Sequence, residues 1–238
     1  MSCLKSKDLD NRGINMRVAT TLVAASLLFG CAVEPTLEQG PDVQLTFDGL
    51  TPIKNARFSN AWIDPDVDLT QYSKIIPGKA EFEFRSAKKT PEISSIRPMG
   101  NTSEFWISEK NREKLIDTVT GVFNEELAKS KHFTITEERG PDALILVGGL
   151  MDIVSRVPPK LAGSGEIYLA SVGEATLVLE LRDSLSGETI YRAVDRRRIE
   201  RPGSAIEANT VTTWTEVRRW ARRWAVRLVD GLDSVHQQ

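Results

Sequence analysis

The spacing of apolar positions changes several times along this chain, and each change marks an element. From Ile75 to Arg85, Ala80, Phe82 and Phe84 alternate with Lys79, Glu81 and Glu83, the two-residue period of a half-buried strand. Residues 86–107 carry Pro91, Pro98, Gly100 and Asn101 and read as a polar loop. The period then lengthens. Ser108 stands where an N-cap belongs, Glu109 falls in the first turn, and Leu115, Ile116, Val119, Val122, Phe123 and Leu127 recur at helical spacing, which predicts a helix over 109–130.

Strand patterns follow. His132 to Glu137 is short, with Phe133 and Ile135 on one side, and Gly140-Pro141-Asp142 is a turn. Ala143 to Val157 begins with Ala143-Leu144-Ile145-Leu146-Val147, apolar on both faces, which predicts a central position in a sheet. Gly148-Gly149 interrupts this strand and Pro158-Pro159 ends it, and a Gly/Ser loop spans Ala162 to Gly165. Glu166 to Asp183 and Thr189 to Ile199 flank a loop in which Gly187 supplies the positive-φ position of a hairpin. Asp183 and Ser184 are explained there as acceptors of turn hydrogen bonds. Charge sets the expected register, with Glu180 opposite Arg192, Glu174 opposite Arg198, Leu181 opposite Tyr191 and Leu179 opposite Ala193. Opposed charges contribute about 0.2–1 kcal/mol per pair, and a slip of one residue would invert every face.

The last pattern, over 208–235, is helical again. Trp214, Val217, Ala221, Trp224, Leu228, Leu232 and Val235 form one stripe with Trp220 at its edge, the tryptophan expected to be most exposed. Arg219, Arg223 and Arg227 fall on the far side, and Arg218 and Arg222 flank the stripe. The order of elements predicts an α+β domain over 72–238: a mainly antiparallel sheet of about five strands, with two amphipathic helices packed on one face. The first strand reaches its neighbour through a helix, which predicts a parallel, right-handed crossover there.

Upstream of this domain the pattern is different in kind. Val18 to Phe29 is an apolar run preceded by Arg17 and followed by Gly30 and Cys31. A positive start, about a dozen apolar residues and a small residue before a cut form a secretory signal, with Met1 or Met16 as its start. The run falls short of the about 20 residues that a membrane-spanning helix needs. Leu28-Phe29-Gly30-Cys31 resembles the bacterial lipoprotein signal, which implies cleavage before Cys31 and acylation of its thiol. Residues 1–30 then form the signal, 31–42 a flexible tether with two prolines, and 43–71 an irregular wrap anchored by Phe58 and Trp62. Ala32 follows the cysteine. The absence of Asp at that place resembles lipoproteins destined for the outer membrane of a two-membrane host, facing the periplasm.

Composition narrows the chemistry. The net charge of the whole chain is −2. The segment before Cys31 holds Lys5, Lys7, Arg12 and Arg17 against Asp8 and Asp10, so its removal leaves a more acidic body, suited neither to nucleic acid nor to strong attraction to anionic membrane. Cys3 and Cys31 are the two cysteines of the chain. With Cys3 discarded and Cys31 acylated, a disulfide staple, a thiolate metal site and a cysteine nucleophile are excluded. The two histidines are His132 and His236, and neither sits in a Gly-x-Ser-x-Gly context. Phosphate loop, dinucleotide fingerprint and metal-ligand cluster are all missing from the sequence, so no catalytic residue, metal or cofactor is expected. Asp152, inside an apolar strand, needs a partner or water, and Arg156 on the same strand face is the expected ion-pair partner.

From residue 62 onward the order of short stretches carries a further resemblance. Trp62-Ile63-Asp64-Pro65, Asp68-Leu69 with Tyr72, Met151-Asp152-Ile153-Val154 with Pro158-Pro159, and Gly173-Glu174-Ala175 followed by Glu180-Leu181-Arg182-Asp183-Ser184 and Gly187 together resemble the bacterial lipoprotein family catalogued as domain of unknown function 3313. The resemblance spans about residues 62–236 and implies a compartment and a domain extent, without a mechanism. The expected role is a non-enzymatic binding or assembly module, held at the membrane by Cys31, with an envelope protein as partner. The alternative is recognition of an anionic lipid or glycan through a cleft or through the face bearing Arg219, Arg223 and Arg227, which Arg196 and Arg198 extend. An enzyme has the weakest support, because no base–nucleophile pair can be named.

Overall fold

The computed structural model describes residues 34–87, 103–159 and 165–236. The segment expected as a signal, Cys31, most of the loop after Arg85 and Ala162 to Ser164 lie outside the described residues. Ten strands are assigned: β1 (Thr36–Leu37), β2 (Thr51–Lys54), β3 (Asn60–Ile63), β4 (Lys74–Phe84), β5 (Thr134–Ile135), β6 (Ala143–Ser155), β7 (Tyr168–Leu169), β8 (Ser171–Asp183), β9 (Thr189–Glu200) and β10 (Ile206–Glu207). The helices are α1 (Glu109–Leu127) and α2 (Thr210–Val235).

The chain is α+β, with one large mixed sheet of eight strands ordered β1-β2-β3-β9-β8-β6-β4-β5 and a separate pair, β10-β7. The strand number corrects the expected five, and the parallel pairs at one end make the sheet mixed, as the expected crossover implies. Segments read as tether and irregular wrap supply β1, β2 and β3, and β3 pairs antiparallel with β9. Two- and four-residue strands are too short to display a period. At the other end β4 pairs parallel with both β5 and β6, as the crossover through α1 requires. The apolar β6 lies between β4 and β8, centrally placed.

The β8–β9 hairpin has the register that charge implied: Glu174, Leu179, Glu180 and Leu181 oppose Arg198, Ala193, Arg192 and Tyr191. Asp183 Oδ1 accepts from the Leu185 and Ser186 amides at 2.9 and 2.7 Å, and Gly187 takes a φ of 78°. Glycine in β6 serves closeness instead: a Cβ on Gly149 would stand 1.9 Å from the Glu81 carbonyl oxygen, and one on Gly148 2.3 Å from that of Val178.

Both helices contribute to the same hydrophobic cluster as the inward side chains of β6, β8 and β9, among them Leu144, Leu146, Ala175, Leu177, Leu179 and Ala193. Trp220 is not at the surface. It is 2% exposed and packs tilted on Trp224, ring centroids 4.2 Å apart, because the stripe of α2 is wide enough to bury its edge. No helix among the described residues is long and apolar enough to cross a membrane.

Candidate functional site

The helices start at one place. Ser108, the N-cap of α1, and Asn209, the N-cap of α2, both line a partly open cavity of about 380 Å³ between the first turns of the helices and the ends of β6, β8 and β9. Its walls are mostly apolar, built from Leu115, Ile153, Ala175, Ile199 and Val217. The Asn209 side chain accepts from the Thr212 amide at 2.8 Å, whereas the Ser108 side chain makes no cap bond. Two helix N-termini bring partial positive charge and first-turn amides to the cavity.

Two buried polar atoms of the lining lack a partner: the Trp220 Nε1–H and the Thr213 hydroxyl. Buried polar atoms are usually satisfied; these two belong to lining residues but are themselves closed off from water. Glu174 is the one carboxylate among the described lining residues. Arg156 and Arg196 approach its Oε1 at 3.1 and 3.0 Å, and Arg198 its Oε2 at 3.5 Å. Burial pushes the Glu174 pKa up, but Arg156 and Arg196 outweigh it and hold the group below its ordinary value. Arg156 keeps Nη1 buried without an acceptor.

A charged network extends from Glu174 over the sheet face away from the helices. Asp152 accepts from Arg85 at 2.6 and 2.5 Å and from Arg196 at 2.6 Å, and Arg85 also pairs with Glu104. These guanidiniums hold Asp152 down at about 2. The expected Asp152–Arg156 pair is therefore corrected. Asp152 adopts a φ of 54° at a bulge between Met151 and Val154, so the alternation that aligned it with Arg156 is broken.

The arginines of α2 do not form one free cationic face. Arg219 lies 3.2 Å from the buried Glu216, which Arg201 also contacts. Arg227 points toward Asp195 at 3.5 Å, and Arg223 is exposed. Burial, with Arg197 and Arg223 nearby, pushes the Arg227 pKa below its usual value against the pull of Asp195. Asp195 is fully buried on the helix side of β9. It accepts from Trp224 Nε1 at 2.7 Å, from Arg197 at 2.6 Å and from the Ser59 amide and hydroxyl. Burial raises its pKa, and the bonds from Arg197, Ser59 and Trp224 more than reverse that. Arg196 and Arg198 lie on the opposite face, committed to the network around Glu174, so they do not extend an α2 surface.

His132 stacks on His236 at 5.1 Å, and His236 Nε2 lies 3.0 Å from the Tyr72 carbonyl oxygen. No group of three or more His, Cys, Asp or Glu among the described residues is placed to hold a metal ion. Sequence reasoning missed the cavity. It assigned Trp220 to a stripe edge and Ser108 to a cap, but nothing in the linear order places Ser108 and Asn209 together.

The architecture is thus a mixed sheet with two helices whose starts enclose a cavity. The family model described as "Protein of unknown function (DUF3313)" matches residues 43–228, and the chain belongs to that family. No curated protein matches the chain. Similar solved structures include a Xanthomonas campestris protein of the DUF330 family model, at 13% identity and TM-score 0.37, covering 74% of this chain and 91% of that one. A neuraminyllactose-binding hemagglutinin homolog from Helicobacter pylori matches at 10% identity and TM-score 0.37, covering 69% and 87%. A PelC dodecamer from Paraburkholderia phytofirmans matches at 9% identity and TM-score 0.30, covering 68% and 96%. Likeness at these TM-scores carries no argument about function.

Proposed function

We propose that this chain is a lipoprotein of the bacterial cell envelope, anchored through acylated Cys31 in the outer membrane and facing the periplasm, where it acts as a non-enzymatic binding module. The cavity between the helix starts is its ligand site. The observation that carries this reading is a partly open, mostly apolar-walled space of about 380 Å³ that the first turns of both helices line. Pockets for small ligands are built this way, from apolar walls and a few polar groups that fix orientation, and run to about 300–1,000 Å³. The α2 arginines are the weaker surface, because Arg219 and Arg227 are directed at Glu216 and Asp195.

Two measurements test the two halves. In cell fractionation the wild-type chain is expected with membranes and Cys31→Ser in the soluble fraction; equal partitioning contradicts the anchor. Native mass spectrometry of the purified chain is expected to show a non-covalent small-molecule adduct that Ala208→Phe lacks, since Ala208 lines the cavity and is half-buried. An adduct of the same mass on both proteins, or on neither, contradicts the cavity as ligand site.

A further inference from the structure

The stretch after Cys31 joins the sheet almost at once. Thr36 and Leu37 pair with Lys54 and Ile53, and the Glu38 amide donates to the Pro52 carbonyl oxygen at 2.9 Å. Ala32 to Pro35 alone separate Cys31 from β1. The five residue steps from Cys31 to Thr36 reach at most about 18 Å when fully extended. A bilayer that holds acylated Cys31 therefore lies close to this edge of the body, a step that rests on the anchor proposed above.

The loop from β1 to β2 turns two large apolar side chains outward. Phe47 is 94% exposed and Leu45 58%. The turn beneath them is braced. The Gly49 amide donates to the Thr46 carbonyl oxygen at 3.0 Å, and the Leu50 amide to Thr46 Oγ1 at 2.9 Å. Arg192 donates to both carboxylate oxygens of Asp48, at 3.0 and 2.7 Å, and Leu50 is buried. The Arg192 guanidinium lies 5.3 Å from the Phe47 ring centroid, yet the ring keeps nearly all of its surface in water, which is unfavourable for an apolar group. Residues 34–50 carry Glu34, Glu38, Asp42 and Asp48 and no lysine or arginine, so this segment has nothing to attract an anionic headgroup. We infer that Phe47 and Leu45 enter the interface of a zwitterionic phospholipid bilayer, the one to which acylated Cys31 holds the chain.

The test uses the mature acylated chain in phosphatidylcholine vesicles, with a nitroxide on Phe47→Cys or on Val211→Cys. With Cys3 removed and Cys31 acylated, each variant has one reactive thiol. Val211 is 78% exposed at the start of α2, on the helix side of the sheet, whereas Arg192 beside Phe47 bonds Glu180 on the other side. The label at 47 is expected to lose most of its collisions with a water-soluble nickel chelate and keep those with oxygen, as at a depth of about 5–10 Å in the interface. The label at 211 is expected to keep both. Equal nickel access at the two positions on vesicle-bound chain overturns the contact and leaves the anchor standing. Protection at 47 that vanishes as the protein is diluted in lipid marks a second copy and overturns the bilayer as occupant. Protection that appears only with phosphatidylglycerol in the vesicles overturns the zwitterionic assignment. A wild-type chain that takes up the label and stays off the vesicles has an unacylated Cys31, which overturns the anchor and the contact with it.

Discussion

The residue whose charge the fold has most to answer for is Asp195. A bare carboxylate under α2 would be costly, and donors from three elements meet it: Ser59 before β3, Arg197 on its own strand and Trp224 from α2. Replacing Asp195 by Ala leaves the Trp224 N–H without its acceptor and the half-buried Arg227 without its countercharge. A loss of about 3 kcal/mol in urea unfolding is expected, with Asp195→Asn milder because one acceptor oxygen remains. A loss below about 1 kcal/mol for Asp195→Ala would show that the bonds do not hold α2 to the sheet. The lowered carboxylates also set the pH response. Asp48, held near 2 by Arg192, and Asp152, held near 2 by Arg85 and Arg196, have folded values below their unfolded ones. Their contribution is complete above the ordinary carboxylate range and is lost as pH falls through the folded values. Stability should therefore hold down to about pH 5 and fall between about pH 4 and 2, with Asp152→Asn giving a shallower fall. A flat profile to pH 2 would contradict the network. At this scale the sequence signalled that Asp152 needs a cationic partner but named the wrong one, because a bulge at the aspartate itself reset the alternation.

Elements were legible where a period or a charge pattern ran long enough to show. The β8–β9 register was readable because Glu180 and Glu174 must find Arg192 and Arg198, and inverting one face would put Leu177 and Leu179 into water. The four residues of β2 or β3 show no such repeat, so the sheet's extension past β9 could be found only in three dimensions. Glycine separates the two kinds of element in a testable way. In β6 a Cβ on Gly149 would overlap the Glu81 carbonyl, whereas nothing lies within 4 Å of one on Gly121 in α1. Gly149→Ala is expected to destabilise by more than about 2 kcal/mol, and Gly121→Ala to stabilise by about 0.5–1 kcal/mol, both read from denaturant midpoints. If both glycines tolerate alanine alike, the close approach of β4 to β6 is wrong.

At the scale of the whole molecule, the α+β class and both helices followed from periodicity, while the cavity did not. It exists because the sheet carries α1 and α2 on one core so that their first turns meet, and such a convergence has no linear signature. The proposed anchor is the reverse case, an expectation read from Leu28-Phe29-Gly30-Cys31 alone. Intact mass of the chain purified from its host should match a polypeptide beginning at an acylated Cys31; an unmodified thiol on a chain beginning at Met1 or Met16 would remove the envelope assignment. Binding in the cavity is the more central claim, and native mass spectrometry reports on it directly. The purified chain should carry a non-covalent small-molecule adduct, and Ala208→Phe, which fills part of the space, should lack it. The same adduct on both proteins, or on neither, would contradict the account.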